Sequence, residues 1–187
     1  MKKLFLDFDL TIVDSVKAYC LTYNDLFENH PKFEPADYKK CTNYDIREIA
    51  PLSQNIYYIF GHENFFSYCD FINENTKEIL KKLNKKFHII ICSIGNPKNI
   101  SLKTMWIKEN IPFIKDYIML IDNSKNNIST MGKSTINMKN SIIIDDHIRN
   151  LKSSNAATKI CFGNYGWNKN WEGLKCNDWK EISDLLL

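Results

Sequence analysis

No apolar run in the chain approaches the roughly 20 residues needed to cross a bilayer, so no membrane-spanning role is expected. It also lacks CxxC and HExxH spacings, and its six cysteines and four histidines therefore form no zinc site of familiar pattern. No internal repeat, low-complexity tract or Gly/Ser linker divides it. A strong charge of one sign is missing too. The 25 Lys+Arg against 22 Asp+Glu leave a formal charge of +3, too little for the field of a dedicated binder of polymeric nucleic acid. The opening Met1-Lys2-Lys3-Leu4-Phe5-Leu6 imitates a leader peptide, but Asp7 and Asp9 interrupt it before an apolar h-region develops, so export is not expected. The scattered cysteines then read as reduced thiols of a cytoplasmic protein.

The chain does have enough apolar residues for a real core. They make up 44% of its 187 residues, with aromatics at 13%, which suits one domain carrying an insertion or small cap. Short Ile- and Phe-rich runs at Leu4–Leu6, Phe87–Cys92, Tyr117–Ile121, Ser141–Ile144 and Lys159–Phe162 are strand-length. Between them lie amphipathic helical patterns. Asn75–Lys86 gathers Ile79, Leu80 and Leu83 on one side, and Ser101–Asn110 gathers Leu102, Met105 and Trp106. Continuous apolar strands alternating with helices imply an α/β fold with a parallel sheet covered on both faces, and a ligand crevice at the carboxyl ends of its strands. The stretch from Val16 to Glu74 lacks strand runs and is dense in aromatics, which predicts a mostly helical insert. Asn123–Asn140, rich in Asn and Lys, reads as an exposed, variable loop.

Chemistry-bearing residues collect at the ends of three of these strands. The first strand runs into Asp7-Phe8-Asp9-Leu10-Thr11, and period-two alternation sends Asp7 and Asp9 to one side while Phe8 turns to the core. Ser141–Ile144 delivers Asp145-Asp146, and Phe87–Cys92 delivers Ser93. Taken singly, a DxD can be a solvated turn and an Asp-Asp pair a helix cap. Converging in one crevice, four carboxylates suit a hard cation, magnesium rather than calcium because no EF-hand loop is present.

Asp7-Phe8-Asp9-Leu10-Thr11, Ser93, a downstream lysine and Asp145-Asp146 resemble the four signature motifs of the haloacid dehalogenase (HAD) superfamily, which consists mostly of phosphohydrolases. Within it, the chain is similar to the 5'(3')-deoxyribonucleotidases. The likeness rests on Phe65-Phe66, on Ile91-Cys92-Ser93, on Lys133-Ser134-Thr135-Ile136 leading to Ile142-Ile143-Ile144-Asp145-Asp146, and on Asn177-Asp178-Trp179-Lys180-Glu181-Ile182. The pattern departs from that subfamily at Leu10, where a glycine is usual.

The resemblance implies a Rossmann-like HAD core at residues 1–15 and 75–187, with a small, mostly helical cap at 16–74. It implies a magnesium-dependent phosphomonoesterase acting on a small phosphorylated substrate, a nucleoside monophosphate being the leading choice. A sugar phosphate, another small metabolite, a nucleic-acid end, or a non-catalytic HAD-like binding module are the alternatives. Asp7 would be the nucleophile and Asp9 the general acid and base. Asp7, Asp9 through its backbone carbonyl, and Asp145 or Asp146 would hold the metal. Ser93 and the Ile94 and Gly95 amides would bind phosphate oxygens. Lys133 would offset the acids, with Lys125 and Lys139 as alternatives. Phe65 and Phe66 would line a base pocket or else pack the cap. His147 would start the helix after the acids, within reach of the metal ligands, and Trp167, Trp171 and Trp179 would pack a C-terminal segment on the sheet.

Overall fold

The β-branched runs pair with one another into a single sheet in the computed structural model, which describes residues 1–122 and 132–187. Its strands are β1 (Lys2–Leu6), β2 (Phe87–Gly95), β3 (Asp116–Ile121), β4 (Ile142–Asp145), β5 (Thr158–Phe162) and β6 (Leu174–Cys176). All neighbouring pairs are parallel, in the order β3-β2-β1-β4-β5-β6, and helices flank the sheet. The fold is α/β, as expected.

Alternation along the strands explains why both faces are covered. Leu4, Leu6, Ile89, Ile91, Ile142, Ile144, Ile160 and Phe162 join one buried cluster, while Phe5, Ile90, Cys92, Ile143 and Cys161 join another on the opposite face. Register then aligns the strand ends. Leu6 pairs with both Ile91 and Ile144, so Asp7, Cys92 and Asp145 come level, and the Asp7 amide donates to the Ile144 carbonyl at 2.9 Å.

Helix α1 (Ser15–Phe27) starts where the Asp14 side chain accepts the Lys17 amide. After it come 3-10 turns at Tyr38–Lys40 and Ile46–Glu48, and the short helices α2 (Ile56–Phe60) and α3 (Glu63–Ser67). The two ends of this excursion are stitched together. The Asp14 amide donates to the Asp70 carbonyl, and the Ile72 amide to that of Ile12. Ala18, Tyr19, Cys20 and Tyr23 share the cluster that holds Leu4 and Leu6, so the excursion and the sheet have a common core. α4 (Thr76–Lys86) turns Ile79, Leu80 and Leu83 inward, and α7 (Trp179–Leu186) contributes Trp179 and Ile182. The remaining helix after β4 is α6 (Ile148–Ser153), capped by the His147 side chain.

Four expectations need correction. β2 continues past Cys92 to Gly95, so Ser93 and Ile94 lie within the strand, paired with Met119 and Leu120, rather than beyond its end. β6 is three residues long and carries no apolar run that marks it. α5 (Pro97–Asn110) buries Asn99, Lys103, Trp106 and Ile107, leaving Met105 largely exposed, so its inward stripe is rotated from the expected one. Within the expected exposed loop, residues 123–131 lie outside the described residues, but Lys133–Thr135 forms a 3-10 turn that buries Lys133. No helix among the described residues is long and apolar enough to cross a membrane.

Candidate active site

At the carboxyl ends of the central strands, Asp7, Asp145 and Asp146 each offer an oxygen, and these atoms lie within 4.8 Å of one another. All three residues are buried. Lys133 reaches between two of them, with Nζ at 2.8 Å from Asp7 Oδ1 and 2.6 Å from Asp145 Oδ2. Burial opposes the lysine's charge, but Asp145 and Asp7 more than offset it and hold the group protonated. Lys139, by contrast, is exposed, and Lys125 lies outside the described residues.

The three acids differ in how far their oxygens are already engaged. Asp7 Oδ1 accepts the Phe8 amide as well as Lys133. Asp145 accepts Lys133, the Asn150 side chain and the His147 amide. Asp146 accepts the Trp167 indole on Oδ2 at 2.9 Å. Burial pushes the Asp146 carboxyl well up, with Asp145 and Asp7 adding to it, and burial likewise raises Asp7. Three buried carboxylates facing one ammonium leave negative charge that the surrounding groups do not balance. A hard divalent cation with oxygen ligands fits that donor set.

A second ion pair stands beside this group. Lys103 of α5 is almost wholly buried, with Nζ at 2.6 Å from Asp9 Oδ2, 2.8 Å from Ser93 Oγ and 5.1 Å from the centre of the Phe8 ring. Ser93 Oγ lies 3.5 Å from the same Asp9 oxygen, at the limit of hydrogen bonding. Asp9 Oδ1 has no hydrogen-bond partner among the described residues. The Asp9 carboxylate thus stands outside the Asp7–Asp145–Asp146 group.

The turn between these centres is unusual in its backbone. Leu10 has φ 54°, the left-handed region that favours glycine. Its amide donates to the Val13 carbonyl, and its own carbonyl accepts the Tyr165 hydroxyl.

A model of the family described as "5' nucleotidase, deoxy (Pyrimidine), cytosolic type C protein" matches residues 1–187. The chain belongs to this type C 5'-nucleotidase family. It is 27% identical over 184 residues to a 5'(3')-deoxyribonucleotidase of Clostridium acetobutylicum, covering 97% of this chain and 93% of that protein. Among solved structures it is similar to a HAD-superfamily hydrolase of subfamily IA from Geobacter sulfurreducens, with TM-score 0.65, 14% identity, and coverage of 100% and 97% of the two chains. It is also similar to YfnB of Bacillus subtilis, crystallised bound to magnesium, with TM-score 0.63, 13% identity, and coverage of 99% and 98%. The two structural likenesses establish the HAD fold. With the family match, they make this type C 5'-nucleotidase family member a phosphomonoesterase of the HAD superfamily.

In this nucleotidase-family chain, Phe65 is fully buried, edge-on to Phe60 and Phe66, while Phe66 is partly buried against the same cluster. Trp179 packs near Phe162 and donates its indole N–H to the Thr11 carbonyl, whereas Trp167 turns to the acids. Besides the role of Trp167, two contributors escape a reading of the sequence. Lys103 looks like one more solvated lysine on an amphipathic helix, although it shares the stripe of Asn99, Trp106 and Ile107 that could have marked it as inward. Tyr44 is the other. Its ring meets His147 at 4.5 Å and Trp167 at 5.8 Å, although most of its surface stays open to solvent. Nothing in its local sequence points to the acids.

Proposed function

We propose that the protein is a magnesium-dependent 5'-nucleotidase that releases phosphate from (deoxy)ribonucleoside monophosphates through an aspartyl-phosphate on Asp7, and that it works in the cytoplasm. The observation that carries this reading is the buried convergence of Asp7, Asp145 and Asp146 with a single lysine among them. A phosphate monoester repels an anionic nucleophile, so the site must supply positive charge and alignment.

Asp7 Oδ1 is engaged by Lys133 and the Phe8 amide, which leaves Oδ2 to attack phosphorus in line. Asp9 is suited to protonate the leaving alcohol and then take a proton from water. Lys103 fixes its Oδ2, and its Oδ1 stands without a partner. Ser93 and the amides of Ile94 and Gly95 would bind phosphate oxygens, and Lys133 would balance the charge that builds on them. Asp7, Asp146 and the Asp9 backbone carbonyl would hold magnesium, with Asp145 given over to Lys133, Asn150 and the His147 amide. Bound there, the cation supplies Lewis-acid stabilisation of phosphate charge. Residues 16–74 would act as the cap over this centre, with Phe66 its candidate for contact with the base.

The test is phosphate release from a panel of ribo- and deoxyribonucleoside monophosphates and sugar phosphates, with magnesium and with a chelator. The expected result is nucleotide turnover that is lost on chelation and in Asp7→Asn. Turnover indifferent to chelation, or surviving in Asp7→Asn, overturns the mechanism. Turnover of sugar phosphates alone overturns the substrate class.

A further inference from the structure

The loop between β5 and β6 takes part in no step above, yet it holds two of the motifs that do. Gly163 opens it at φ 76°, where an added Cβ would sit 2.3 Å from the Tyr165 ring, so the chain doubles back closely. The Tyr165 and Trp167 rings then stack face to face, with centroids 4.7 Å apart and planes 5° from parallel. The Tyr165 hydroxyl donates to the Leu10 carbonyl at 3.1 Å, gripping the turn after Asp9. Asn168 donates to the backbone carbonyls of Asp146 and Phe162, both at 3.0 Å, while its Oδ1 accepts the Tyr165 amide. Asp146 is thereby held at its backbone by Asn168 and at its carboxylate by the indole N–H of Trp167.

We propose that Trp167 is a positioning residue for the cation: its indole N–H fixes Asp146 Oδ2 and so holds the carboxylate in its place beside Asp7 and Asp145, and Tyr165 steadies the indole by stacking. The inference rests on the metal-dependent reading above. Among the described residues, the indole is the one side-chain donor to the Asp146 carboxylate, whereas Lys133 and Asn150 both donate to Asp145. Next to two like charges, a carboxylate without such a tether would turn away, and the cation would have to supply the ordering itself. The indole suits the task because it donates and cannot accept, and its ring is rigid and wedged between Tyr165 on one side and the edge of Tyr44.

Trp167→Phe keeps an aromatic ring for the stack and deletes the N–H. Magnesium binding to the wild-type protein and to this variant should be measured by calorimetry and by terbium luminescence excited through the indoles, alongside kcat at saturating magnesium. Trp167→Phe is expected to weaken magnesium binding by about 10- to 100-fold, with kcat at saturation within a few-fold of wild type. In the 15N spectrum of the wild-type protein, the indole signal that disappears in Trp167→Phe is expected to shift when magnesium is added. A Trp167→Phe protein that binds magnesium as tightly as wild type overturns the proposal, and so does a loss confined to kcat. If Trp167→Phe does not fold, Tyr165→Leu, which removes the stack and the hydroxyl's bond to Leu10 and leaves the indole N–H, is expected to weaken binding by about tenfold, and unchanged affinity in it overturns the proposal. Failure of the wild-type protein itself to bind magnesium would instead bring down the metal-dependent reading on which the inference rests.

Discussion

The two buried lysines of the site sit in opposite electrostatic situations. Lys133 faces Asp7 and Asp145, with Asp146 beside them, and none of these groups has much access to water. Lys103 faces one carboxylate, Asp9, whose side chain is 28% exposed. The first cluster is short of positive charge and the second is balanced. That difference separates two jobs: an under-compensated nest of acids attracts a cation, while a neutral pair at the water's edge can hold an acid in place without preventing it from exchanging a proton.

Replacing each lysine in turn should expose the contrast most strongly. Lys133→Met leaves the acids with no cation among them and is expected to destabilise the metal-free protein by about 3–5 kcal/mol in urea unfolding. Asp9→Asn should lower turnover by about 10²- to 10⁴-fold while leaving the magnesium-induced rise in unfolding midpoint intact. Asp146→Asn should do away with that rise. In the wild-type protein, magnesium at a hundred times its Kd should add about 2.7 kcal/mol, measured as a shift in thermal midpoint and reversed by chelator. An equal shift in Asp146→Asn would mean that the cation binds elsewhere. Lys103→Met should cost about 1–2 kcal/mol in the same urea experiment, less than Lys133→Met, because water can reach Asp9. Reversal of that order would abolish the distinction between the clusters. The smallest effect belongs to the turn joining them. Leu10→Gly relieves a left-handed backbone but gives up a buried side chain, for a net loss of about 1 kcal/mol.

Much of the sheet was legible because a strand buried on both faces must be apolar without interruption, and Ile89–Cys92 and Ile142–Ile144 are. The acids were legible because they end such runs. β6 was not, since Leu174–Cys176 is too short to carry a pattern. Lys103 was hidden by its type: hydropathy assigns a lysine to solvent, and its burial depends on Asp9, which is distant in the chain. Trp167 was hidden for a different reason. A tryptophan near the C-terminus is ordinarily packing material, and its bond to Asp146 exists because Gly163 and the Tyr165 stack turn the loop back. Within the early excursion, α2 and α3 were not legible, because at five residues each they are too short for a helical period to show.

Gly166 carries a consequence for how the molecule assembles. A methyl group there would lie 1.9 Å from the Thr42 carbonyl oxygen, so backbone meets backbone where the early excursion touches the late loop. Residues that far apart along the chain meet only at the entropic cost of closing a long loop, a cost that the packing around the seam must offset. Anything larger than hydrogen at that point would hold the seam ajar and let water in beside Trp167.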